Sequence, residues 1–307
     1  MSRAEVQRLI TLIYVARHGS LTGAAASLGI TTSAVSQQIS ALEADCATPI
    51  VERTATGTVL TGAGLSLLEH AEKLARQLDD ARSTIAQLSG ELAGRVRVAT
   101  IASGAAALLL PAEKVLEQTA PGVALSVVER EPGESLDEVD GGSVDLALID
   151  VYDHVPVAMP SHLLVEEVLT EPLVLVSACD ADLPRRVALA SLKDQPWVMP
   201  PSTTACGAAT RHACRAAGFE PDVAWETDDL LLLVATVSRG AGITLLPRRA
   251  VADTVAPVEM RRLVDPVLSR RLLLVARRTT SQRPTVRAVL DAIHHVGRLS
   301  PAPSTVR

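Results

Sequence analysis

The sequence is poor in aromatics: Phe219, Tyr14, Tyr152, Trp197 and Trp225 are the only five among 307 residues. Stacking platforms that hold single-stranded nucleic acid need surface aromatics, so that class is nearly excluded, and the cores must be built from Leu, Val, Ile and Ala. An excess of basic charge is missing too. Lys and Arg sum to 29 against 35 Asp and Glu, a formal net charge of −6, so no bulk attraction to polyanions or anionic membranes is advertised. The four cysteines, at 46, 179, 206 and 214, are irregularly spaced, unlike a secreted disulfide framework, and reduced thiols are expected. The longest apolar stretch, Leu230 to Val237, falls far short of the ~18 to 20 residues of a membrane span, and no charged segment followed by a long apolar run opens the chain. A cytoplasmic protein with no membrane partner is the expectation.

Catalytic signatures are absent as well. There is no GxxxxGK[ST], GxSxG or HExxH, and Gly240-Ala241-Gly242 precedes a strand-like run instead of a helix. No catalytic residue is assigned, and neither an enzyme nor a cofactor is expected. His212, between Cys206 and Cys214, completes no zinc-like spacing, so no metal site is expected.

What is present begins with short helices punctuated by glycine. Val6, Leu9, Ile10, Ile13 and Ala16 share one helical face before Gly19. Ser20 is a candidate N-cap for Leu21 to Leu28, Gly29 breaks that helix, and Thr31 is a candidate cap for a third helix running to about Glu43. This is a helix-turn-helix pattern. On the third helix, at about 100° per residue, Val35, Ile39 and Leu42 share one face while Ser33, Ser36, Gln37 and Ser40 share the opposite one. Short hydroxyls and an amide suit a helix entering the major groove; the other reading is an ordinary polar surface. Ile50-Val51 and Thr58-Val59-Leu60 flank turn residues and predict a small hairpin, or wing.

Thr61 then caps a long helix, residues 62–90. Leu67, Ala71, Leu74, Leu78, Ala81, Ile85 and Leu88 are spaced alternately four and three apart, a heptad seam. Dimerisation through this seam is the stronger reading, and packing on the chain's own domain is the alternative. Beyond it, apolar β-type runs alternate with helical stretches, predicting parallel sheets covered on both faces. Two α/β lobes with a return strand imply subdomains joined by crossing strands around a cleft. The first lobe is placed at about 94–167 with 268–300, and the second at about 168–267.

In that cleft, Ser103 opens a helix after the first strand of residues 91–307, and Ser202, Thr203 and Thr204 precede a helix in the other lobe. Hydroxyl-rich helix starts favour an oxyanion ligand, although each also suits an ordinary N-cap. Cys206 and Cys214 invite a redox-sensor reading, but about eight residues of helix hold them ~12 Å apart, whereas a disulfide needs Cα atoms within ~7 Å.

These residues resemble the LysR-type transcriptional regulators. The carriers are Gly19 to Glu43, with Ala24-Ala25, Ala34-Val35-Ser36, Gln38-Ile39 and Leu42-Glu43, then Glu52-Arg53 and Leu60-Thr61-x-Ala63-Gly64. Further matches are Leu110-Pro111, Pro121-Gly122-Val123, Gly142 to Ala147 and Gly240 to Pro247. The resemblance implies a winged helix-turn-helix over residues 1–61, a dimerising linker helix over 62–90, and an effector-binding domain of two Rossmann-like subdomains of the periplasmic-binding-protein type over 91–307. It implies double-stranded DNA, a small effector, homodimers or homotetramers, and RNA polymerase as partners. Thr32, Ser33, Ser36, Gln37, Ser40 and Arg53 become candidate DNA contacts. Ser103, Ser202, Thr203 and Thr204 become candidate effector contacts.

Departures from the family pattern cluster in the head. Thr32 and Ser33 replace the usual glutamine and proline, Cys46-Ala47 stands where the family has leucine-glycine, and Val51 replaces a phenylalanine. Residues 1 to 60 hold Arg3, Arg8, Arg17 and Arg53 against Glu5, Glu43, Asp45 and Glu52, a formally neutral reading head. A solute-binding protein is the alternative from another class, but it would carry an export signal and no helix-turn-helix. An enzyme with an α/β core and a helical appendage is a more distant one.

Overall fold

The computed structural model describes residues 3–54, 57–88, 92–252 and 254–299. The chain divides into two compact units, Met1–Ser89 and Gly90–Arg307. Among the described residues no helix is long and apolar enough to cross a membrane.

The first unit follows its local signals closely. Helices α1 (Arg3–His18), α2 (Leu21–Leu28) and α3 (Thr32–Cys46) precede an antiparallel hairpin of β1 (Val51–Thr54) and β2 (Gly57–Leu60), and α4 (Gly62–Leu88) closes the unit. Ser20 caps α2 by accepting from the Gly23 N–H, and Gly29 ends it with φ of 65°. Thr31 caps α3 by accepting from Ala34 N–H. Leu12, Val15, Ala24, Ala25, Val35, Ile39, Leu42 and Ile50 form the core, the aliphatic packing that the shortage of aromatics requires.

The wing is seated by backbone contacts. Thr58 N–H donates to Gly19 C=O at 2.8 Å, and a Cβ on Gly57 would meet that oxygen at 2.6 Å. At the head of α4, Thr61 accepts from Gly64 N–H at 3.0 Å and donates to Pro49 C=O at 2.8 Å. A Cβ on Gly64 would lie 2.1 Å from Ile50 C=O, so only glycine lets α4 start against the wing.

The second unit is built on one eight-stranded sheet. In chain order it contains β3 (Ala93–Thr100), α5 (Ala102–Gly104), a π-type turn at Ala105–Leu109, α6 (Leu110–Thr119), β4 (Gly122–Glu129), α7 (Pro132–Asp140) and β5 (Leu146–Tyr152). There follow β6 (Leu163–Ala178), β7 (Arg186–Ala188), β8 (Pro196–Met199), α8 (Ala205–Ala216), β9 (Asp222–Glu226) and α9 (Leu230–Ser238). Then come β10 (Thr244–Pro247), α10 (Arg248–Ala252), β11 (Val258–Asp265), β12 (Ser269–Arg277) and α11 (Pro284–Leu299). Strand β3 pairs in parallel with β4 and β5, as fully apolar runs separated by helices predict.

Strand β6 serves both lobes. Its residues from Leu163 to Pro172 pair with β12 in the first lobe; those from Leu173 onward pair with β10 and β11 in the second. The crossing therefore falls at Pro172-Leu173 and not near residue 168, because the first half of β6 alternates polar and apolar residues and hides its pairing from a search for apolar runs. Helices α6 and α11 cover one face of the first lobe and α7 the other. The apolar run at Leu230 is helix α9, capped by the Asp229 carboxylate, which accepts from Leu231 and Leu232 N–H at 2.8 and 3.1 Å. Strands β7, β9 and β11 also went unread, because each is short or broken by charge.

One residue in the head is held against its preference. Ala47 ends α3 in the left-handed conformation, φ 51° and ψ 30°, the position where the family pattern has glycine. A Cβ there costs about 1 kcal/mol. Ala47→Gly is therefore expected to stabilise the head by about that amount. Differential scanning calorimetry checks it; an unchanged or lower unfolding temperature contradicts the strain.

Candidate functional sites

The exposed face of α3 is the first candidate. Thr32, Ser33, Gln37 and Ser40 are exposed and Ser36 is half-buried, while Val35, Ile39 and Leu42 turn inward. The neighbouring Gln38 is not part of that face: its side-chain oxygen accepts from the Thr11 hydroxyl and ties α3 to α1. Arg53 lies on β1, and its side chain is outside the described residues.

Much of the head's charge is spent internally. Arg8 and Asp45 form an ion pair between α1 and α3. The Glu43 carboxylate accepts from Ile50 N–H and Val51 N–H at 3.0 and 3.3 Å, fixing the entry to the wing. Arg17 lies over the Tyr14 ring, 5.7 Å from its centre. What the α3 face offers to a partner is hydroxyl and amide chemistry.

The α4 seam divides into two parts. Leu67 packs against the core of the head and Ala71 is buried within the unit, so this end of the seam is intramolecular. Leu78 and Ile85 are 43% and 64% exposed, and Ala81 is exposed. Leu74 and Leu78 border a groove completed by Val6, Leu9 and Ile10 of α1. Leu88 ends the helix, its side chain outside the described residues.

The second candidate is the cleft between the lobes of the effector-type unit. Ile101, Ala102 and Ser103 line it after β3, Glu129 and Glu131 at the end of β4, and Asp150 and Tyr152 at the end of β5. The other wall is Pro200, Thr204, Ala205, Cys206, Asp228, Leu230, Leu233, Leu246, Pro247 and Ala250. Its empty volume, open mouth included, is about 660 Å³. It sits at the carboxyl ends of parallel strands, where open α/β sheets place ligands.

Ser103 and Thr204 of the expected contacts line this cleft; Ser202 and Thr203 occupy an exposed turn and are not among the lining residues. Both lining hydroxyls have structural duties. Ser103 Oγ accepts from Arg270 Nη1 at 2.7 Å. Thr204 Oγ1 accepts from Gly207 N–H at 3.1 Å, as an N-cap, and donates to Pro201 C=O at 2.9 Å.

Under the floor lies a buried charge network. Arg270 donates through Nε and Nη2 to Glu171 Oε1 at 2.9 and 2.8 Å, and its Nη1 stands 3.5 Å from Asp150 Oδ2. The other Glu171 oxygen accepts from Arg249 N–H at 2.9 Å. Burial raises the Asp150 carboxyl above its ordinary pKa against the pull of Arg270. Burial, aided by Asp150, also raises Glu131, against the pull of the Ala205 N–H at the start of α8 in the opposite lobe.

Sequence reasoning missed the four carboxylates of the cleft, Glu129, Glu131, Asp150 and Asp228. Each ends or follows a different element, and no motif joins them. They bring negative charge into a cleft whose hydroxyls alone suggested an oxyanion ligand.

Cys206 and Cys214 lack the lowered thiol pKa of a reactive pair. Cys206 forms part of the cleft wall, and burial pushes its thiol up to about 11 despite a hydrogen bond with Tyr152. Cys214 is fully buried, and burial pushes it up to about 12. The helix N-terminus that would favour a Cys206 thiolate is outweighed by desolvation.

Comparison with known proteins places both units. A family model described as "Bacterial regulatory helix-turn-helix protein, lysR family" matches residues 6–65, and one described as "LysR substrate binding domain" matches residues 89–298. The nitrogen assimilation regulatory protein nac of Klebsiella aerogenes is 26% identical over 291 residues, covering 94% of this chain and 93% of its own. A probable hydrogen peroxide-inducible genes activator of Mycobacterium avium is 27% identical over 298 residues, covering 93% of this chain and 92% of its own. Among solved structures, full-length CbnR complexed with its target DNA superposes with a TM-score of 0.75 at 18% identity, covering 95% of this chain and 99% of that one. Full-length OxyR from Pseudomonas aeruginosa gives 0.70 at 20%, covering 100% and 99%.

The thiol assignments are directly measurable. Cys46 and Cys179 are exposed, so a chromogenic disulfide reagent at pH 8 is expected to modify these two rapidly in the native protein. Cys206 and Cys214 are expected to react only on unfolding. Rapid reaction at all four contradicts the burial argument.

Proposed function

From the premise that the chain belongs to the LysR family of DNA-binding transcriptional regulators, we propose that its DNA contacts are the Thr32, Ser33, Ser36, Gln37 and Ser40 face of α3 together with Arg53 on the wing. The supporting observation is the exposure of a contiguous hydroxyl and amide surface on the second helix of a helix-turn-helix. Gln37 is the residue suited to bidentate contact with an adenine edge. Hydroxyls, backbone N–H groups and the α3 N-terminus supply phosphate contacts in place of lysines. With few cationic contacts, affinity falls with salt less steeply than for a strongly basic head.

The exposed part of the α4 seam, with the α1 groove beside it, is the surface we assign to homodimer formation, and RNA polymerase is the further partner proposed. A small molecule in the inter-lobe cleft is the proposed control input, needing no metal or cofactor. A thiol switch of the kind that the peroxide-inducible relative's name brings to mind gains no support from half-buried Cys206 and buried Cys214, whose thiols are pushed up to about 11 and about 12.

Two measurements test these assignments. With a duplex from the protein's own promoter region, Gln37→Ala is expected to weaken specific binding by about tenfold, the loss of one base contact worth ~1 to 3 kcal/mol, with little change on unrelated DNA. Equal fluorescence-anisotropy titrations for wild type and variant remove Gln37 from the reading face. For the seam, Leu78→Asp with Ile85→Asp is expected to lower the mass in light scattering and to abolish retardation of the duplex. An unchanged mass refutes this dimer surface.

A further inference from the structure

Resting on the reading of the inter-lobe cleft as the effector site, we infer that its ligand is a small organic cation with an aliphatic stem, of the alkyl-diamine or guanidinoalkyl-amine class. The first argument is charge. Glu129, Glu131, Asp150 and Asp228 line the cleft, and no Lys, Arg or His is among its lining residues. Arg270 is buried and already engages Glu171 and Ser103. It stands 3.5 Å from Asp150, a 5% exposed carboxylate. Glu129, Glu131 and Asp228 are exposed at the mouth, where an entering ligand meets them.

The start of α8 points to the same sign. Thr204 takes the Gly207 N–H there, and the Glu131 carboxylate of the other lobe lines the cleft together with Ala205, so an anionic effector would meet a like charge at that helix start. An ammonium or guanidinium instead finds acceptors on both walls, Glu129 and Glu131 on one and Asp228 on the other.

The rest of the lining sets the ligand's body. Leu230, Leu233 and Leu246 form an apolar wall, which suits a methylene stem and gives nothing to a polyhydroxylated compound. A metal ion is not the fit. Among the described residues no three His, Cys, Asp or Glu side chains converge closely enough to hold one, so the acidic groups match a charge carried on an extended molecule.

The test uses the full-length chain and two probes of similar length and opposite charge, 1,5-diaminopentane and glutarate, by isothermal titration calorimetry at low salt. Saturable binding of the diamine and none of glutarate is expected. Glu129→Gln with Asp228→Asn should weaken the diamine at least tenfold. Glu129→Lys with Asp228→Lys should reverse the preference toward glutarate, a switch that general damage to the fold does not produce. Preference of the wild type for glutarate, absence of diamine binding, or diamine binding indifferent to these variants overturns the inference. The underlying effector reading fails separately. It falls if cationic, anionic and neutral panels all leave promoter binding by the full-length protein unchanged.

Discussion

The buried guanidinium of Arg270 is the constraint on which the effector unit depends. A buried ion pair is stabilising only when every donor and acceptor is met, since desolvation alone costs several kcal/mol per ion. Arg270 meets that condition by drawing in separate parts of the fold: Glu171 on β6, Ser103 on α5 and Asp150 on β5, while Glu171 also receives the Arg249 N–H at α10. Glu171 lies one residue before the crossing at Pro172-Leu173. The network therefore fastens the strand shared by the lobes to the floor of the cleft between them.

The same economy of charge governs the head. A formal balance of four basic and four acidic residues over residues 1 to 60 looks unpromising for a DNA reader until the partners are assigned. Asp45 is neutralised by Arg8, and Glu43 is turned to backbone N–H groups at the wing. Neither carboxylate is then a simple repulsive charge on the α3 face. On the proposed reading, what that face lacks in lysine is recovered through geometry, hydroxyl donors and two heads acting on one site, so the outer half of the α4 seam contributes to binding alongside α3.

How much of this was legible in the sequence follows from how local each signal is. Ser20, Thr31 and Thr61 each cap the helix that begins beside them, and Gly29 stops its own helix by left-handed geometry, so the head could be read almost residue by residue. The seam was legible as a heptad, but the fate of Leu67 and Ala71, turned toward their own domain, depended on tertiary packing that periodicity does not encode. Helix α9 was missed because Leu230 to Val237 is nearly uniformly apolar and carries no period. The cleft was the least legible. Its acidic lining is assembled from strand and loop ends a hundred residues apart, and the hydroxyls that suggested an anion proved to be caps and supports.

That last reversal has a physical basis. A serine or threonine at a helix start signals that an N–H needs an acceptor, and the sequence cannot say whether a side chain or a ligand supplies it. Here Thr204 serves Gly207, and the charged side chains that line the cleft are Glu129, Glu131, Asp150 and Asp228. Like charges gathered at one cleft repel one another, so on this reading a cation entering among Glu129, Glu131 and Asp228 relieves a repulsion as well as forming contacts. An anion adds to it. On the proposed reading, the cleft selects by charge before any hydrogen bond is made.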